Sequence, residues 1–181
     1  MCYNENGDFM KSILLELQCP KCGSKVHVKS ESYINPEFEP ELKEAILNGQ
    51  FFIHKCSLCQ NSIHFQHPLL YVDKQHKAII YLLEKDQKEE RIKVEEDKFQ
   101  YICHNIKELQ EKIAIIDDHL QDEQIQLLKM KLKQQYQNKH IEIESIYYHD
   151  YDLISKTLWF TINKDELIGI DEKYYKENAR T

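Results

Sequence analysis

Cys19-Pro20-Lys21-Cys22-Gly23, followed further along the chain by Cys56-Ser57-Leu58-Cys59-Gln60, is the pattern on which the fold turns. Two residues between cysteines allow one tight turn to aim both sulfurs at a single ion. Pro20 pre-sets the first φ of such a turn, and Gly23 permits the positive φ that follows its second ligand. Ser57 and Gln60 fill the same places in the second pair with poorer turn residues. A tetrahedron of soft thiolates is what zinc favours, so Cys19, Cys22, Cys56 and Cys59 are the candidate ligands of one structural zinc ion, Zn2+. The intervening segment is longer than in the shortest paired sites, yet it has room for strand, helix and returning strand.

Working outward, each pair is flanked by strand-like sequence. Ser12 to Gln18 leads into the first pair, and Lys25 to Tyr33 leaves it with the alternation of a half-buried strand. Pro40 to Leu47 is expected to be a short helix, with proline in its first turn and Gly49 as its stop. Phe51 to Lys55 enters the second pair and Ser62 to Gln66 leaves it. Leu69 to Val72 and Ala78 to Leu83 are strands joined by a turn at Asp73 to His76. Glu84 to Asp97 is mostly charged, either a solvated connection or a strand around Ile92 and Val94.

Two helices follow. The first carries Ile106, Leu109, Ile113 and Ile116 on one face, with Asn105 and Glu108 as a capping box. The second carries Ile125, Leu128, Leu132 and Tyr136, with Asp122 and Glu123 suiting its positive end. Asp117 to His119 is the bend between them. Strands are expected around Ile141 to Ser145 and over Thr157 to Ile162. The tail from Asp171 is charged and either frayed or marginally helical.

The formal net charge of −7 sets the class of partner. Duplex nucleic acid is gripped by Lys and Arg that displace counterions from phosphates, which disfavours an acidic chain. Lys21, Lys25, Lys29 and Lys55 surround the cysteines, where their first task is to offset a dianionic zinc–thiolate centre. The N-terminal seventeen residues lack a secretory core, because Glu16 cuts the apolar run, and no stretch reaches membrane-spanning length. A cytoplasmic location is expected, where cysteine pairs serve metal or redox chemistry rather than disulfides.

Several residues invite a second reading. Cys19-Pro20-Lys21-Cys22 also has the form of a dithiol redox site, in which the first cysteine caps a helix. A glycine and an alternating stretch follow here instead. Cys2 and Cys103 stand outside the pairs. His54, His64 and His67 flank the second pair, as ligand substitutes or as neighbours that hold ligands in place. Neither H-E-x-x-H nor a deaminase order is present, and no phosphate loop can be written with four glycines. Asp117, Asp118, Asp122 and Glu123 read as helix-end charges. Tyr147, Tyr148 and Tyr151 form either an interaction patch or a strand edge with one buried ring.

From Leu17 to about Leu83 the chain resembles the bacterial and archaeal CpXC-domain proteins. The resemblance rests on Cys19-Pro20-Lys21-Cys22-Gly23, Pro40-Glu41-Leu42-Lys43, Gly49-Gln50-Phe51-Phe52, Cys56-Ser57-Leu58-Cys59, His67-Pro68-Leu69-Leu70-Tyr71 with Asp73, and Ala78-Ile79-Ile80-Tyr81. Glu111 to Ile113 and Asp117 to Asp122 are similar more loosely. The family's two cysteine motifs fall on Cys19/Cys22 and Cys56/Cys59, with Ser57 replacing proline and Gln60 replacing glycine. The resemblance implies a domain type and no activity.

The expected fold is α+β: a zinc-ribbon-like antiparallel β region with an inserted short helix over residues 10–95, then a helical pair and a C-terminal β segment over 96–181. The second part packs on the first or forms a small unit. The expected function is a zinc-stabilised protein-interaction module, with no catalytic residues assigned. The alternatives are an enzyme, most concretely thiol-redox through Cys19/Cys22, and a nucleic-acid-binding zinc ribbon.

Overall fold

The computed structural model describes residues 11–84, 99–163 and 166–178. It is α+β. By compactness the chain forms two units, residues 1–109 and 110–181.

In the first unit, β1 (Ser12–Gln18) pairs antiparallel with β2 (Lys25–Glu31), Gln18 facing Lys25 at the last rung. Apolar residues alternate along both strands, so one face buries Leu17 and Val26 while Glu16 and Lys25 face solvent as an ion pair of 2.7 Å. A second small hairpin joins β4 (Ile53–Lys55) to β5 (Ser62–His64), with Lys55 opposite Ser62. Each cysteine pair thus sits in the loop closing a hairpin. Leu17 and Val26 from one hairpin and Ile63 from the other gather around Cys19 and Cys56 as one apolar cluster.

Between the hairpins lie β3 (Tyr33–Ile34) and α1 (Pro40–Leu47), whose bounds match the expected helix. Pro40 occupies its first turn, where a missing N–H costs nothing. Gly49 follows at φ 77°, and its N–H closes onto Ile46 O at 3.0 Å. Phe51 and Phe52, expected in the next strand, lie in a turn before it, with the Phe52 ring fully buried.

The rest of the unit is a four-stranded sheet of order β3-β6-β7-β8, with β6 (Leu69–Asp73), β7 (Ala78–Leu82) and β8 (Phe99–Cys103). Its β6–β7 pairing is antiparallel, as the turn at Asp73–His76 requires, but β3–β6 and β7–β8 are parallel. An all-antiparallel expectation missed these because parallel neighbours are set by long connections that leave no local mark. Every residue of β7 is buried, as befits a central strand. The suggested strand around Ile92 and Val94, and Cys2, lie outside the described residues.

The division between units falls within α2 (Ile106–Asp117). Its start is a variant of the expected capping box: Glu108 N donates to Asn105 Oδ1 at 2.9 Å, and the Glu108 carboxylate reaches one residue further back, accepting from His104 N at 2.6 Å. Ile115 rather than Ile116 is fully buried, and Glu111 lies on the buried side as well.

In the second unit α3 (Asp122–Asn138) buries Ile125, Leu128 and Leu132, the expected stripe. A three-stranded antiparallel sheet of order β11-β10-β9 supplies Ile146, Tyr148, Leu158, Phe160 and Ile162 to the same core. Its strands are β9 (Ile146–Asp152), β10 (Thr157–Ile162) and β11 (Glu166–Asp171), followed by α4 (Glu172–Asn178). The expected strand at Ile141 to Ser145 is corrected: the chain there is irregular and Ile141 is exposed. The sheet starts later because the turn after α3, with His140 at φ 58°, must first reverse the chain. β11 had no sequence signal beyond a weak alternation. Its Gly169 lies opposite Trp159, and a Cβ there would meet Thr157 Cγ2 at 2.8 Å and the Trp159 ring at 3.2 Å, so glycine makes room for both side chains.

No helix among the described residues is long and apolar enough to cross a membrane.

Candidate metal centre

The two cysteine loops are built alike. In the first, Cys19 N donates to Ser24 O and Gly23 N to Cys19 O, both at 2.9 Å. In the second, Cys56 N donates to Asn61 O and Gln60 N to Cys56 O, again both at 2.9 Å. Gly23 and Gln60 hold equivalent positions at φ 71° and 58°. The chain therefore makes one six-residue turn twice, although only the first copy has the glycine its backbone favours.

This repetition brings all four sulfurs together. Within the quartet, ligand atoms lie within 4.8 Å of one another. Across the loops, Cys19 Sγ is 3.6 Å from Cys59 Sγ and Cys22 Sγ is 3.7 Å from Cys56 Sγ. Each cysteine thus faces one from the other loop, the arrangement of four corners around a common centre. Cys19 and Cys56 are buried, Cys59 is half-buried and Cys22 is exposed.

Backbone and hydroxyl donors surround the sulfurs. The Ser24 hydroxyl is 2.9 Å from Cys22 Sγ and 3.4 Å from Cys56 Sγ. That hydroxyl is the main cause pulling Cys56 down to about 6, helped by the N–H groups of Cys59 and Leu58. Cys22 is lowered by the same hydroxyl and by Ser24 N–H. At Cys59 the Asn61 N–H pulls downward, but burial and the neighbouring sulfurs outweigh it and push the thiol up to about 12. The four sulfurs thus compete: hydroxyl and backbone donors lower Cys22 and Cys56, while burial and the neighbouring sulfurs hold Cys59 up. A cation at the centre removes that conflict. The donor set, all sulfur and pre-turned by N–H groups, fits a soft or borderline divalent metal.

The expected neighbours sort clearly. His54, His64 and His67 are not part of the quartet. His67 is buried, donating from Nδ1 to Pro68 O at 3.0 Å and leaving Nε2, 2.8 Å from Ser30 Oγ, to accept the hydroxyl proton. His54 is buried in β4, and its Nε2 has no hydrogen-bond partner among the described residues. Burial lowers the pKa of both rings. His64 is exposed. Cys103 is buried in β8 and is not one of the four clustered cysteines.

The family model described as CpXC protein matches residues 17–129, more than half of the chain. The chain belongs to the CpXC family. The match takes in both cysteine loops and runs through α2 into α3, so the CpXC pattern extends past the cysteines to the looser similarity around Asp117 to Asp122. Neither the curated proteins nor the solved structures contain a match to this CpXC chain.

The sequence missed Ser24. Its hydroxyl touches sulfurs of both loops, but a serine two positions after a cysteine has no distinguishing mark until the second loop is folded against it.

Proposed function

We propose that this CpXC protein binds one zinc ion through Cys19, Cys22, Cys56 and Cys59, and that the ion is structural in a zinc-ribbon-like region that serves protein–protein interaction. The observation that carries this is the convergence of four sulfurs from two like-built hairpin loops. Four protein thiolates fill a tetrahedron and leave no position for water, and they place more negative charge on the ion than it carries. It would be a poor Lewis acid and a good staple. The apolar cluster around the sulfurs is small, with Leu17, Val26 and Ile63 its buried aliphatic side chains, so a metal supplies cohesion that this cluster lacks.

A dithiol redox role through Cys19/Cys22 has less support. Such a site sets its first cysteine at a helix N-terminus, whereas this pair lies between β1 and β2. The interaction role is favoured by Leu58, an exposed apolar side chain held between two ligands, and by the exposed Leu14 and Phe38. A reducing, cytoplasmic compartment suits the free thiols.

Metal analysis of the purified chain tests the reading. One zinc per chain is expected, lost in Cys22→Ser and Cys56→Ser and retained in Cys103→Ala. Full occupancy in both ligand variants would sink the assignment. X-ray absorption at the zinc edge should show four sulfurs, and a shell of three sulfurs with one exchangeable oxygen would promote an enzymatic reading. For the interaction role, Leu58→Asp should abolish capture of a partner that the zinc-loaded wild type retains. Equal capture by both would remove this loop from the interface.

A further inference from the structure

We propose that the Ser24 hydroxyl is a positioning group of the metal centre, placed between the loops to donate to Cys22 or Cys56, and that Cys22 is the corner where the bound ion is held or lost. This rests on the metal-binding reading above.

Ser24 Oγ lies 2.9 Å from Cys22 Sγ and 3.4 Å from Cys56 Sγ, and those sulfurs belong to different hairpins. The equivalent place in the second loop is Asn61, whose side-chain amide turns away to donate to Ser62 O at 2.9 Å. The two loops match in backbone but differ here, and the difference falls at the exposed corner. Cys19 and Cys56 are buried, so a competing ligand or a soft electrophile arriving from solvent meets Cys22 first.

The hydroxyl acts through charge. Four thiolates around a divalent ion leave the centre dianionic, with all four sulfurs deprotonated at once. A donor aimed at the sulfurs therefore stabilises the loaded state more than the empty one. Groups that support metal ligands in this way commonly change affinity by ~10–100-fold when removed. One hydroxyl carries one proton, so it serves one sulfur at a time. Its place between Cys22 and Cys56 lets it follow charge from one corner to the other.

The test compares wild type, Ser24→Ala, Ser24→Thr and Asn61→Ala, each loaded with Zn2+ and titrated with a chromophoric chelator. Ser24→Ala should bind zinc at least ~10-fold more weakly. Ser24→Thr, which restores the hydroxyl, should recover most of the loss, and Asn61→Ala should stay close to wild type. Co2+ loading should give a four-sulfur charge-transfer spectrum in all four proteins, showing that the ligands are unchanged. Iodoacetamide on the zinc form should alkylate Cys22 first, its sulfur pair displacing iodide from carbon to form a thioether, and faster in Ser24→Ala.

Wild type holding one zinc with Ser24→Ala unchanged in affinity would overturn the inference and leave the metal-binding reading standing. So would a Ser24→Thr as weak as Ser24→Ala, or Cys19 reacting before Cys22. A wild type that takes up no zinc would overturn both.

Discussion

Gln60 stands where Gly23 stands, each donating its N–H to the carbonyl of the first cysteine in its loop at 2.9 Å and each in the left-handed region. A side chain in that region crowds the following carbonyl, at roughly 1–2 kcal/mol per residue. Gln60→Gly should therefore raise the stability of the metal-loaded protein by about 1 kcal/mol, read as a higher denaturation midpoint. Gly23→Ala should lower it by about as much. A Cβ at Gly23 would meet nothing within 4 Å, so the loss would come from the backbone alone. A stable Gly23→Ala would show that the first loop tolerates another conformation.

Glu111 is expected to dominate the polar energetics of the second unit. It is 3% exposed and accepts from Lys129 Nζ at 2.7 Å and from Tyr148 N at 2.7 Å. The register of β9 against β10 shifts beside Tyr148, skipping His149, so the ladder is interrupted there and Glu111 supplies an acceptor. Glu111→Ala strands a largely buried ammonium and a buried N–H, and should cost about 3 kcal/mol in urea unfolding. Glu111→Gln keeps an acceptor for Tyr148 and should cost less. Equal losses in the two variants would show that charge, not the N–H acceptor, accounts for the whole effect.

His67 should make the first unit acid-sensitive. Burial holds its pKa below the ordinary 6.5, so the folded ring stays neutral where the unfolded one takes a proton. The unfolded state then binds more protons, and stability is complete above about 6.5 and falls as pH drops toward the folded value. Unfolding midpoints measured at about pH 7.5 and about pH 5.5 should differ more in wild type than in His67→Gln, which retains an acceptor for Ser30 but does not titrate. Parallel shifts in both proteins would assign the acid sensitivity elsewhere.

Much of the local structure was legible in advance for identifiable reasons. α1 was bounded by Pro40 and Gly49, and α2 by the Asn105–Glu108 box, because caps and breakers act within a few residues. The paired cysteine spacing singled out the four sulfurs for the same reason, since a two-residue gap is a local geometric constraint. The Tyr147–Tyr151 stretch was open between a patch and a strand edge. It proved to be β9, at the edge of its sheet with Tyr148 buried.

Other features were decided by what packs against what. The parallel pairing of β3 with β6 and of β7 with β8 depends on where long connections return, and no residue in those strands encodes its neighbour. Burial of Glu111 became affordable once Lys129 and the interrupted ladder at Tyr148 arrived from elsewhere in the unit. Local chemistry determined that four cysteines would sit in two tight hairpin loops. Tertiary structure decided that the loops face each other, that Cys22 is the exposed corner, and that the Ser24 hydroxyl spans the gap, because these are distances between segments that the chain brings together only when folded.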